Sequence, residues 1–526
     1  MAKPRIAVFS GPTSTIANSP TLVTSNKGRI PGDRMLAGRF DHLIAQLLYE
    51  PVRVKIKKFS AHPLEEEAKA TYHDDGKDYY EVELRPEDGS YLLPYMARRA
   101  DGSPFEESDL MNAAIGFGGR QFFFPDASRI FADIDRSIPG RDEDGEANIL
   151  DRQADFDFVR ALPPAGYPQR GEVSGEDYFP YKPFPVYMRP RYRDLATVAN
   201  TVQSTLASGK YAGGIWLEGS PTVEETSYWL SLIVDTDLPI AGIASQRTHG
   251  QLANDGDRNI VDAVSYVLSG RGSGLGAVGV MDERIYAARE FKKADDRPGN
   301  YKATGGHGGI LGNVGPPVTI WYKPAYKHTS ESDVNLSRLP EWVEFPDVAG
   351  DATPARVQVK NVDGTLRWES IPRVHIVKYG AYMDEDSSHN PDHEVDILAR
   401  IQRGLEQERS TNAGASPFHG FVFEGTSPYG TGSGSQDTAL AIAAFSGMPV
   451  VRVGRADPGG PIPLGRSPWT IGGSNLDTNK ARLLLIASML KLGRLPKAKD
   501  PRNPTPAERK AVIARTGEFQ RIFDTH

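Results

Sequence analysis

Gly214-Ile215-Trp216-Leu217, running on into Glu218-Gly219-Ser220-Pro221-Thr222-Val223-Glu224-Glu225-Thr226, is the stretch whose reading decides the fold. The short apolar run that opens it reads as a buried strand, and the Gly-Ser-Pro step that follows reads as a turn. Thr222, with Glu225 three residues later, makes a capping box that opens a helix. That helix sets Val223, Thr226, Leu230 and Ile233 on one side at helical spacing. A strand delivered straight into a helix is half of a βαβ unit.

The pattern continues outward in both directions. Downstream, residues 239–244 read as a strand, Ile260, Val264, Val267 and Leu268 mark a helix, and residues 277–281 form the next strand. Upstream, residues 195–206 read as a helix, and the apolar run from Ile6 to Gly11-Pro12 as a strand ending in a loop. Strand–helix alternation at these lengths implies a parallel sheet with right-handed crossovers. Residues 26–191 differ in character, with charged turns and the aromatic clusters Phe122-Phe123-Phe124-Pro125 and Tyr178-Phe179-Pro180-Tyr181. They are expected to be a large irregular insertion with its own packed layer, the aromatics forming its core rather than a base-stacking surface.

A polar, proline-bearing stretch at 361–372 reads as a linker, after which alternation restarts. Residues 374–377, 420–423 and 450–453 read as strands. Val395, Ile397, Leu398, Ile401 and Leu405 give a helical face, 439–445 a small-residue helix, 481–492 a strongly apolar helix and 506–523 a more polar one. The expected architecture is α/β: two parallel-sheet, three-layer domains in series. The first spans 1–360 and contains the insertion and the site; the second spans 373–526.

Composition narrows the function. The chain has 526 residues, 39% hydrophobic and 25% charged, enough to bury substantial cores. A formal net charge of -7 argues against a general nucleic-acid binder, which needs a basic surface. Basic clusters such as Lys55 to Lys58 read as solvated faces. With no cysteine, thiolate nucleophiles and disulfides are excluded. The first residues run into a strand with no apolar segment of signal-peptide length, and no run is long enough to cross a bilayer. A cytoplasmic protein without membrane or nucleic-acid partners is the expectation. Gly430-Thr431-Gly432-Ser433-Gly434 lacks the Gly-Lys-Ser/Thr ending of a phosphate loop and reads as a tight loop. His389 and His393 have metal-ligand spacing, but Asn390-Pro391 interrupts the helix that would aim them together. Neither a metal nor a cofactor is expected.

In open parallel sheets ligands bind beyond the carboxyl ends of the strands. That rule selects the loops at 11–15, 219–222, 254–259 and 282–293. Thr13-Ser14-Thr15-Ile16-Ala17-Asn18 resembles the Gly-Gly-Thr-Ile-Ala-Gly signature of bacterial L-asparaginases and glutaminase-asparaginases. Residues 218–226 are similar to their second signature, His-Gly-Thr-Asp-Thr-x-Glu-Glu-Thr. Asp255-Gly256 with Asn259 resembles the family's Asp-Gly-x-x-Asn-Leu element, and residues 281–293 its lysine-bearing segment. Ile371-Pro372-Arg373-Val374, Asn479-Lys480-Ala481-Arg482 and Phe519-Gln520-Arg521-Ile522-Phe523 resemble the start, late helix and end of its second domain. The resemblance covers about 1–25 and 190–526.

The resemblance implies acyl transfer from a side-chain amide to a threonine hydroxyl, without a cofactor, in a homotetramer or dimer. On the matched positions Thr15 is the nucleophile, Ser220 replaces the second threonine, and Lys293 is the lysine that polarises that hydroxyl. A hydroxyl needs a proton acceptor before it attacks, and a lysine accepts a proton only when its pKa is lowered. Gly219 and Asp255 fall at substrate-contacting positions. Two departures stand out. Pro221 replaces the aspartate that pairs with the lysine and holds the substrate's ammonium, and Glu218 replaces a histidine. The substrate is therefore expected to be a carboxamide or cyclic amide other than L-asparagine. The loop at 425–430 also departs from the family's Gly-x-Gly-Asn-Gly. Two alternatives remain: a catalytically silent small-molecule binder, or a lyase or isomerase that reuses Lys293.

Overall fold

The computed structural model describes residues 4–10, 192–220, 222–245, 255–295, 297, 299–304, 307–345, 355–380, 388–409, 418–427, 429–455 and 467–526. It also gives the backbone of strands at 43–48, 52–57, 79–84, 91–94, 110–111, 140–141, 147–148 and 157–160.

The first sheet is built from β1 (Arg5–Ser10), β2 (Asp157–Arg160), β3 (Gly213–Gly219), β4 (Ile240–Ser245), β5 (Ala277–Met281), β6 (Arg284–Ala287), β9 (Ile310–Asn313) and β10 (Thr319–Ile320). Between β6 and β9 lies a separate hairpin, β7 (Phe291–Lys293) and β8 (Tyr301–Ala303). Among the described residues the sheet order is β10-β9-β6-β5-β4-β3-β1-β2. The strands β2, β1, β3, β4 and β5 run parallel, whereas β6, β9 and β10 are antiparallel. The expectation of a purely parallel sheet is corrected on this side. Asp282 and Glu283, at φ 54° and 60°, form a two-residue turn that folds β5 back as β6. Residues 282–293, read as a strand-to-helix loop, are thus a turn and two strands. A second difference is β2, which lies within the stretch read as an insertion yet pairs in parallel with β1 at the sheet edge. The remainder of 26–191 lies outside the described residues apart from short backbone strands.

Among the described residues, three helices cover this sheet: α1 (Tyr192–Ala207), α2 (Val223–Ile233) and α3 (Gly256–Leu268). Alternate residues of β3 serve opposite faces, as the pleat requires. Ile215 and Leu217 pack with Ile260 and Val264 of α3, while Trp216 packs with Ala199 and Val202 of α1 and Tyr228 and Trp229 of α2. A strand buried on both faces reads as an apolar run without alternation, which is why residues 214–217 are so legible.

The second sheet, β13 (Arg373–Lys378), β14 (His419–Gly425), β15 (Val450–Gly454) and β16 (Ile471–Gly472), is parallel throughout. A smaller hairpin, β11 (Trp342–Phe345) with β12 (Ala355–Gln358), precedes it. Its helices are α4 (Val395–Arg409), α5 (Gly434–Phe445), α6 (Thr478–Leu492) and α7 (Pro506–Phe523). The apolar cluster behind α2 continues into Phe421, Leu484 and Met489, so α2 and α6 share one core. The stretch 361–372 begins exposed at Val362 and ends packed. Leu366 and Ile371 are buried, and the Asn200 side chain bonds both the C=O and the N–H of Leu366, at 2.9 and 2.8 Å. Among the described residues no helix is long and apolar enough to cross a membrane.

Candidate active site

The carboxyl end of β3 carries the first charged group of the site. Trp216 and Glu218 are two residues apart and share a face of the strand. The indole Nε1–H of Trp216 donates to Glu218 Oε2 at 2.8 Å, and Thr222 Oγ1 donates to Oε1 at 3.0 Å. Glu218 is only 1% exposed. Burial pushes its carboxyl up from the usual 4.5 to about 7, against the lowering effect of hydrogen bonds from Thr226, Trp216 and Thr222. A carboxyl that exchanges its proton near neutrality suits acid–base work.

This arrangement corrects the expected capping box. Thr222 is the N-cap of α2, yet its side chain makes no capping hydrogen bond, because the hydroxyl is committed to Glu218. Glu225, its expected partner, turns outward and accepts from Asn479 Nδ2 and the Arg482 guanidinium, both at 3.1 Å. A cavity of about 320 Å³ lies on that side of α2, between Tyr192, Leu195, Leu483 and Ile486.

The other sequence-derived positions fall as follows. Gly219 is buried and closes β3, its Cα paired with Ser245 of β4. Ser220 is half-buried in the turn directly after it. Asp255 stands at the N-cap of α3 but makes no side-chain cap bond there, so helix capping does not account for it. Asn259 fastens this corner, donating to Ala244 O at 2.8 Å and accepting from the Asp282 amide at 3.2 Å. Thr15 and Pro221 lie outside the described residues.

Lys293 ends β7 and is half-buried. Its backbone N–H donates to Glu224 Oε2 at 2.8 Å, across a sequence separation of 69 residues. Its Nζ donates to Arg297 O at 2.8 Å and stands 4.6 Å from the centroid of the Tyr301 ring. The first turn of α2, the family-like lysine and the strand β8 therefore meet at one corner.

Two residues of this corner escaped the sequence reading. Lys480, on α6, is 2% exposed, and its ammonium donates to the carbonyls of Ala288, Arg289 and Phe291. Burial lowers its pKa, which Asp477 and Glu224 oppose. Glu224 in turn is raised by burial and restrained by Lys480. Asn475 Nδ2 donates to Glu290 Oε2 at 3.2 Å, a second tie from the same region to the segment before Lys293. The segment bearing Lys293 is thus clamped from the second sheet's side. The signal for Lys480 was the Asn479-Lys480-Ala481-Arg482 resemblance, but a lysine in a strongly apolar helix reads as a solvated residue. The second is Tyr301, buried in β8 opposite Lys293.

Residues 189–300 match the family model described as Asparaginase, N-terminal. The glutaminase-asparaginase of Acinetobacter glutaminasificans is 28% identical over 163 residues, covering 31% of this chain and 46% of that protein. L-asparaginase 2 of Bacillus subtilis (strain 168) is 27% identical over 157 residues, covering 30% and 41%. The L-asparaginase of Bacillus licheniformis is 32% identical over 114 residues, covering 21% and 35%. The chain therefore spans less than half the length of these curated relatives.

Proposed function

We propose that the chain, similar to the asparaginase family over residues 189–300, is an amidohydrolase acting on a small carboxamide or cyclic amide. In this reading the Thr15 hydroxyl attacks the amide carbonyl and gives up its proton. Ser220 and Lys293 relay that proton toward the leaving nitrogen, which departs as ammonia or an amine. Water then hydrolyses the resulting ester and restores Thr15. Glu218, protonated near neutrality, adds a proton-holding group beneath the same turn.

The observation that carries this reading is the 2.8 Å bond from the Lys293 amide to Glu224. It ties the lysine-bearing segment to the family-like second signature. The reading also includes a substrate other than L-asparagine. Pro221 offers neither a carboxylate for the substrate's ammonium nor a backbone N–H. By the same resemblance, the protein assembles as a homo-oligomer, a dimer or tetramer.

Release of ammonia or amine from a panel of primary amides and lactams, in the wild type and in Thr15→Ala, tests the proposal. The expected result is release by the wild type and at least about a 1000-fold loss in the variant. Turnover that survives in Thr15→Ala would assign the chemistry to a lysine-based lyase or isomerase instead. Tight binding of amides without any release would leave a silent binding protein.

A further inference from the structure

The β7–β8 hairpin sets Tyr301 directly across from Lys293. Directly paired residues of a ladder share a face, and the Lys293 ammonium stands 4.6 Å from the phenol ring centroid. The ring packs on Phe291, with centroids 5.9 Å apart. It joins an apolar group formed by Val223, Ala244 and Met281, which lie at the start of α2 and the carboxyl ends of β4 and β5. Tyr301 therefore stands at the end of the sheet where ligands bind.

Its hydroxyl is the anomaly. Tyr301 is only 5% exposed, yet Oη is buried without a hydrogen-bond partner. A buried hydroxyl is ordinarily paired, since leaving it unmet costs stability. Nothing in the packing requires the oxygen, because phenylalanine would fill the same space against Phe291 and Lys293. Burial, with Glu224, Asp255 and Glu218 as its charged neighbours, holds the phenol well above its usual range, so it is a donor at any working pH. Glu224 and Asp255 would repel an anionic acceptor at the same place. A neutral oxygen meets no such penalty.

We infer that the Tyr301 hydroxyl donates to an oxygen of the bound substrate, making Tyr301 a specificity-determining residue for an uncharged amide. The inference rests on the amidohydrolase reading above and narrows it to substrates without a charged substituent beside the reacting group.

The test is Tyr301→Phe in the full chain. It is assayed with propionamide, benzamide and 2-pyrrolidinone as neutral probes and with asparagine and succinamic acid as charged ones. The wild type is expected to prefer the neutral probes. The variant should lose roughly 10- to 100-fold in kcat/KM on them. Its pH profile should be unchanged, since the ring beneath Lys293 remains, and its thermal midpoint should be equal or higher, since an unmet hydroxyl is gone. Activity within twofold of wild type, or a wild-type preference for a charged probe, would overturn the inference. If the wild type hydrolyses no amide, the amidohydrolase reading fails on its own, and thermal stabilisation by the neutral probes decides this point. Stabilisation of the wild type and not of Tyr301→Phe supports the hydroxyl contact; equal stabilisation, or none in either protein, refutes it.

Discussion

The two sheets each send a Glu-Gly step from the end of a parallel strand into the turn before a helix, and they treat it in opposite ways. In β3 the step is Glu218-Gly219, followed by Ser220 and Pro221; in β14 it is Glu424-Gly425, followed by Thr426 and Ser427. The Glu424 side chain is 20% exposed, 3.3 Å from Lys378 Nζ. The helix after it, α5, opens with a complete capping box between Ser433 and Gln436. Glu218 is buried, and the hydroxyl that would cap α2 is spent on it. The second turn is satisfied by rules of stability alone. The first gives up a cap hydrogen bond and holds a desolvated carboxyl, a departure from local rules that marks this turn as the candidate site.

The largest consequence is in the pH dependence of folding. Because burial lifts the folded-state value of Glu218 above the unfolded one, its stabilising contribution is complete below about 4.5 and is lost as pH rises through about 7. Across that window the wild type should lose about 3 kcal/mol relative to Glu218→Gln, which cannot ionise. Denaturant titrations of both proteins at several pH values between 4 and 8 measure the difference. A parallel pair of curves would mean that Glu218 titrates as an ordinary surface carboxyl, erasing the contrast. A medium effect is expected at the other turn. Ser433→Ala should cost about 1 kcal/mol by removing a true cap, while amide turnover stays within twofold. The smallest is at Glu424. Its pair with the exposed Lys378 should be worth less than about 0.5 kcal/mol, so Glu424→Gln should shift the chemical midpoint barely at all.

Much of the fold was legible in the sequence, where local chemistry and burial agree. The last helix runs from Pro506 to Phe523 as read, because Thr505 and Glu508 form a real capping box and Pro506 suits the first turn. Residues 277–281 are β5, since a strand covered on both faces leaves an unbroken apolar run. What was missed follows from chemistry that sequence pattern does not display. The β5–β6 turn uses Asp282-Glu283 at positive φ rather than the Asn-Gly pair that marks such turns, so the reversal was hidden. With the reversal hidden, the hairpin that brings Tyr301 against Lys293 was hidden too. The Thr222–Glu225 spacing suggested a capping box, but pattern alone cannot reveal that a neighbouring carboxyl competes for the hydroxyl. Of the residues the sequence singled out, Glu218, Gly219 and Ser220 fall on or just after the end of β3, Asp255 at the N-cap of α3 and Lys293 at the end of β7, whereas Lys480 reaches the corner from a helix of the second region.

Turnover of the best amide by Lys293→Met bears most directly on the central claim, that the corner joining β3, α2 and β7 is where the chemistry happens. Lys293 is half-buried and its backbone tie to Glu224 survives the substitution, so the fold should persist with its thermal midpoint within about 2 °C of wild type. The account predicts a fall of about 1000-fold or more in kcat/KM. A folded variant that retains activity within threefold would contradict it.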